Sequence, residues 1–185
     1  MALFRELALL VPVTVLAACS FAAPPYLPSV DNIQSLKTVS GAHAKVGTFE
    51  AQPGDTNRYP VTLRADSMRS PVGTSFAAYL SSAIQTELSI AGVLSSDPNI
   101  EVSGTLLTNE VSVGIGTGTG TMSARFIVKH GGEVSYDRVK TVKRDWESSF
   151  VAAIAVPRAV QEYPLVVQTL LAALYADPDF MLAIK

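Results

Sequence analysis

The chain has 185 residues, 48% of them hydrophobic and 16% charged, with 14 Lys+Arg against 16 Asp+Glu and a net charge of -2. These values exclude a mainly disordered chain and a nucleic-acid binder that works by bulk positive charge. A single cysteine excludes an intramolecular disulfide, two histidines leave little material for a metal site, and the length suits one domain with its own core.

The N-terminus carries an address. Arg5 and Glu6 precede an apolar run from Leu7 to Ala18, interrupted by Pro12. That run is too short to cross a hydrocarbon layer, which needs about 20 residues, and it has the length of a signal-peptide core. Leu16-Ala17-Ala18-Cys19 resembles the bacterial lipobox, whose cysteine is lipidated and becomes the first residue of the mature chain. A thiol is the best side-chain nucleophile for taking up a diacylglyceryl group. The plain alternative is a thiol buried in an ordinary helix. Residues 1–18 are thus expected to be a lipoprotein signal peptide and Cys19 the lipidation site. Ser20 follows in place of the aspartate that, in lipobox proteins as a class, goes with inner-membrane retention. The bilayer is expected to be the outer membrane, reached through the Cys19 lipid, with the protein facing the periplasm. Residues 19–35, rich in Pro24, Pro25 and Pro28, read as an extended tether. Residues 36–185 read as a single α+β domain.

Within that domain, Leu36–Val39 and Ala44–Phe49 are short strand candidates split by Gly41, and Tyr59–Arg64 alternates like a half-buried strand. Phe76, Leu80, Ala83, Ile84, Leu88 and Ala91 keep the helical period between the capping residues of Ser70–Ser75 and a Gly92 stop. Ile100–Leu106 alternates cleanly, then slips phase so that Leu107, Val111, Val113 and Ile115 carry the apolar face, which implies a bulge near Leu106-Leu107. The glycines from Gly114 to Gly120 suggest a flexible hairpin tip. A phosphate cradle would need a helix behind them and a Gly-Lys-Ser/Thr, and neither is present. Ala124–His130 and Val134–Tyr136 flank Gly131-Gly132. A three-residue loop would pair Val128 with Tyr136 and His130 with Val134. Pro157 is expected to open a last helix with Tyr163, Val166, Val167, Leu170, Leu171 and Leu174 on one face, ended by Asp177-Pro178. The fold class is α+β, an antiparallel sheet of about four strands covered by two amphipathic helices.

No catalytic constellation emerges. His43 and His130 are the only imidazoles and lie in a loop and beside a turn, and no Gly-x-Ser-x-Gly elbow exists. No cofactor, metal or nucleic-acid partner is expected. Lys129, Arg138, Lys140, Lys143 and Arg144 form a basic cluster along a hairpin arm that would suit anionic headgroups or a partner, although a solvated strand face is the ordinary reading of such charge. Trp146 and Phe150 read as anchors of the sheet to the last helix, or of a partner.

Cys19, the element order and stretches such as Phe76-Ala-Ala-Tyr-Leu80 and Ile100–Leu106 together resemble small envelope-assembly lipoproteins. The nearest types are the lipopolysaccharide-transport lipoprotein LptE and the auxiliary lipoproteins of ABC-type lipid transport systems. The resemblance implies a non-enzymatic accessory or scaffold role beside an envelope protein partner. A stand-alone carrier of a lipid or small apolar ligand, and a periplasmic hydrolase, are the other readings. The carrier predicts a cavity between sheet and helices, and the hydrolase a histidine and an acid meeting near a serine.

Overall fold

The computed structural model describes residues 20–97 and 99–185, so the signal-peptide reading and Cys19 lie outside the described residues. The α+β expectation holds. Strands β2 (Lys45–Ala51), β5 (Ile100–Val113), β6 (Gly116–His130) and β7 (Glu133–Ser148) form a four-stranded sheet in the order β2-β5-β6-β7. β5, β6 and β7 are antiparallel as expected, but β2 runs parallel to β5. Helices α2 (Phe76–Ala91) and α3 (Ala152–Tyr175) lie on the sheet, with α1 (Val30–Lys37) and α4 (Pro178–Ala183) beside them. A second sheet, not foreseen, is built from β1 (Ser20–Ala22), β4 (Asp66–Arg69) and β3 (Val61–Leu63) in that order.

Helix α2 follows its sequence signals. The Ser75 hydroxyl accepts the Ala78 N–H at 3.2 Å, and Gly92 ends the helix with φ 77°. The buried stripe Phe76, Leu80, Ala83, Ile84 and Leu88 is the one the period marks. In β5 the register slips between Leu106 and Thr108, which leaves Leu107 as the unopposed bulge residue and moves the inner face from Ile100, Val102 and Leu106 to Asn109, Val111 and Val113. Ile115, assigned to that face from sequence, instead lies exposed in the turn.

Four expectations are corrected. Residues 20–35, read as a tether, are built into the fold as β1 and most of α1, and Leu36 and Lys37 complete α1 where a strand was expected. Of the run Gly114–Gly120, Gly114 and Ile115 do form the β5-β6 hairpin tip and Gly116 (φ 80°) opens β6, but Gly118 and Gly120 lie within the strand. Gly118 pairs with Trp146, and a Cβ there would lie 2.1 Å from the indole Nε1, so glycine is what lets the indole lie flat on the sheet. The β6-β7 hairpin closes on Gly131-Gly132 alone, both left-handed (φ 59° and 92°) as a two-residue turn demands, with His130 opposite Glu133. Val128 does pair with Tyr136, because a bulge at Ser135 restores the tyrosine to the inner face. Finally, α3 begins at Ala152, five residues before Pro157, and also contains Pro164. Each internal proline deletes one backbone hydrogen bond, a cost of about 3 kcal/mol. It is outweighed by burying Val156, Ala159, Tyr163, Val166, Val167, Leu170, Leu171 and Leu174 against the sheet and α2.

Candidate functional site

The segment that follows Cys19 is fastened residue by residue. Ser20 pairs with Ser67 of β4 and its hydroxyl accepts the Arg69 Nε–H at 3.2 Å. The Ala23 N–H donates to the Arg69 carbonyl at 2.9 Å, and the Tyr79 hydroxyl donates to the Pro24 carbonyl at 2.9 Å. The chain then meets Glu87, a carboxyl fully buried in α2. Glu87 Oε1 accepts the Tyr26 hydroxyl at 2.6 Å and the Ser29 N–H at 2.9 Å, and the Asn32 amide donates to both carboxyl oxygens at 3.2 Å. Asn32 also donates to the Gln168 carbonyl at 3.1 Å, and the Gln168 amide returns to the Leu27 carbonyl at 2.6 Å, so α3 closes the knot. Burial, reinforced by the neighbouring carboxyl, holds the Tyr26 phenol far above its ordinary range and keeps it a donor. Sequence reading passed over Glu87. The signal was there, since it falls inside the stripe of Ala83, Ile84 and Leu88, where an acid has to be buried with partners.

The five basic residues do not form one patch, because strand alternation divides them. On β7, Arg138, Lys140 and Arg144 share the inner parity of the buried Tyr136 and Trp146, at the sheet edge under α3 and α4. Lys140 Nζ is 2.6 Å and Arg138 Nη1 3.2 Å from Asp177 Oδ2, and Arg138 also bonds Asp179. Arg144 Nε donates to Glu162 at 3.1 Å, a carboxylate that Arg158 shares at 2.6 Å. Lys143 takes the opposite parity and stands 3.5 Å from Asp145. Lys129 is exposed on β6 and lines a shallow groove with Glu50 and Glu101. Three of the five cations are therefore structural, tying the edge strand to the helices and discouraging strand addition there.

Asp177 is the centre of that arrangement. It caps α4 by accepting the Asp179 N–H at 3.0 Å and accepts the Tyr136 hydroxyl at 3.0 Å. The Lys140 ammonium bonded to it holds its carboxyl well below the usual carboxylate range, against the opposing effect of burial. A depressed carboxylate pKa stabilises the fold above the unfolded value, about 3.9. That contribution is lost as pH falls through the native value. Acid titration by tyrosine fluorescence or near-ultraviolet circular dichroism should show α4 loosening below about pH 4. In Asp177→Asn that acid step should vanish, at the cost of lower stability at neutral pH. Identical acid limbs in the two proteins would refute the assignment.

His130 is exposed beside the hairpin turn, and His43 Nδ1 lies 3.0 Å from the Gly41 carbonyl. Trp146 is buried as a sheet anchor, whereas Phe150 stands in solvent. Among the described residues no group of three His, Cys, Asp or Glu is placed to hold a metal ion, and no helix is long and apolar enough to cross a membrane.

No protein-family model and no curated protein matches the sequence. Among solved structures, a Xanthomonas campestris protein of the DUF330 family superimposes with a TM-score of 0.56 at 13% identity, over 85% of this chain and 95% of that one. A candidate lipoprotein from Caulobacter crescentus gives 0.46 at 12% identity (83% of this chain, 96% of that one). A minor lipoprotein from Acinetobacter baumannii gives 0.43 at 14% identity (73% and 90%). Only the first superimposes well enough to speak for architecture, and at that identity what this chain shares with the DUF330 protein is its fold.

Proposed function

We propose that this protein is a lipid-anchored, non-catalytic accessory lipoprotein of the bacterial envelope. It sits at the outer membrane, faces the periplasm and serves a lipid or lipopolysaccharide transport or assembly complex of the LptE-like or ABC-auxiliary kind. The observation that carries the reading is the junction at residue 20: Leu16-Ala17-Ala18-Cys19 resembles a lipobox, and the next residue is already paired in β1. In this reading the Cys19 thiol loses its proton and displaces the phosphate headgroup of a membrane phospholipid, taking its diacylglyceryl group as a thioether. Hydrolysis of the Ala18-Cys19 peptide bond frees an amine for a further acyl chain, and several chains together give firm attachment. The domain is then held at the bilayer surface as a rigid body. Scaffolding is favoured over ligand carriage because the space between sheet and helices is occupied by Phe126, Tyr163, Leu80, Ile84, Val167 and their neighbours.

The test is labelled-palmitate incorporation into the full chain, followed by crosslinking in intact cells and mass spectrometry of what purifies with it. One abundant envelope partner, lost in Cys19→Ala, is the expected result. Lipidated protein recovered alone would sink the accessory role, and absence of label would sink the anchor.

A further inference from the structure

At the end of the molecule where Ser20 enters β1, four large apolar side chains stand in solvent: Ile115 is 74% exposed, Phe150 77%, Val151 50% and Ile154 62%. Gly116 pairs with Ser148, so the turn bearing Ile115 and the chain leaving β7 through Ser149 and Phe150 lie side by side. Arg64, at the β3-β4 turn with φ 58°, reaches over both. Its guanidinium donates to the carbonyls of Val113 (2.9 Å), Gly114 (3.3 Å), Ser149 (2.9 Å) and Phe150 (3.0 Å). β4 leaves that same turn at Asp66, and its next residue, Ser67, pairs with Ser20. The Cα of Cys19 is about 3.8 Å from that of Ser20 by covalent geometry.

We propose that this end is a membrane-docking surface, with Ile115, Phe150, Val151 and Ile154 entering the interfacial layer of the bilayer that holds the Cys19 lipid. The proposal rests on Cys19 being lipidated. Given that, the occupant follows from the missing slack. A lipid on Cys19 and a strand pairing at Ser20 leave no chain with which the domain could stand off, so the surface around Ser20 meets the headgroups. An exposed apolar cluster is costly in water and gains by entering the headgroup-acyl boundary. The backbone is prepared for that environment: Arg64 satisfies carbonyls of both turns, which would otherwise enter a layer poor in hydrogen-bond donors. Glu147 and Arg158 flank the cleft beside Ile154 and would remain at headgroup level.

The test uses the full-length lipoprotein, isolated with its acyl chains and rebuilt into phosphatidylethanolamine-phosphatidylglycerol vesicles. Single cysteines at four positions, Ile115→Cys, Phe150→Cys, Val134→Cys and Leu182→Cys, carry an environment-sensitive fluorophore. Val134 and Leu182 are comparably exposed, at 57% and 67%, but lie at the opposite end. Val134 is separated from Ser148 by the length of β7, roughly 45 Å. Blue-shifted emission and quenching by brominated acyl chains are expected at Ile115→Cys and Phe150→Cys and absent at the other two. Water-like emission at all four positions, in protein that carries labelled palmitate, would overturn the docking surface and leave this end for a protein partner. Equal quenching at all four would overturn it as well. Protein without palmitate would bring down the anchor, and the docking surface with it.

Discussion

Replacing Glu87 with alanine is expected to destabilise the protein by about 4 kcal/mol, the scale of stripping a buried polar network of its common acceptor. Glu87 is fully buried and receives the Tyr26 hydroxyl, the Ser29 N–H and the Asn32 amide. Alanine removes the acceptor that the three donors share, leaving the Asn32 amide only the Gln168 carbonyl, in a cavity the size of the lost carboxylate-bearing side chain. Glu87→Gln keeps the volume and one acceptor oxygen but sets its own amide against the incoming donors, and should cost about half as much. Urea denaturation measures the difference. Because the knot ties residues 26–32 to α2 and α3, the alanine variant should also show faster amide exchange through β1 and α1 than through β5 and β6. An unchanged midpoint, or exchange that rises evenly over the whole chain, would show that the knot is incidental. Under the proposed lipid anchor at Cys19, a loosened N-terminal segment would give the domain slack, and membrane orientation should fail in this variant before palmitate attachment does.

Gly118→Val is expected to cost about 3 kcal/mol, at the upper end of overpacking effects. The position is inside a strand, where valine is intrinsically favoured, so propensity alone predicts a gain. The indole of Trp146 decides otherwise: even a first carbon at residue 118 would lie 2.1 Å from its Nε1, and Gly120 is crowded in the same way by Val166 of α3 at 2.5 Å. Trp146 is the only tryptophan in the chain, so its fluorescence reports directly on the displacement. Thr117→Val, one residue earlier and exposed, is the matched control and should be near neutral. Equal stability of the two variants would mean that the indole moves aside freely.

Local signals were legible where one physical effect dominated. Ser75 and Gly92 bracket α2 because a hydroxyl cap and a left-handed stop are each satisfied by the residue itself. The bulge after Leu106 could be read from the phase slip, since alternation has a period of two and one extra residue inverts it. The hairpin loop was misjudged by one residue. Both a two-residue and a three-residue loop satisfy Gly131-Gly132, and only the bulge at Ser135, a response to burying Tyr136, selects between them. Gly118 and Gly120 looked like freedom in isolation and are close packing in context, because the groups that need the space, Trp146 and Val166, come from the neighbouring strand and from α3.

The candidate site divides along the same line. The reading of Cys19 and the residues before it falls outside the described residues and rests on a processing signal, which acts on extended chain and needs no fold. The basic arm was not readable, because clustering in sequence ignores the alternation that sends Lys143 away from Arg138, Lys140 and Arg144, and ignores Asp177 and Glu162, which arrive from helices far along the chain. The end proposed to face the membrane was invisible for a stronger reason: Ser20, Arg64, Ile115 and Phe150 are separated by tens of residues and meet only through strand pairing and one guanidinium. By itself the sequence determined the class of fold and the capping segment and glycine stop of α2, which depend on neighbours within a few positions. Tertiary structure alone decided that the proline-rich segment is packed and not a leash, that most of the clustered basic residues are already paired with carboxylates, and which side chains surround Ser20. Burial and pairing energies act on groups brought together by folding, whatever their distance along the chain.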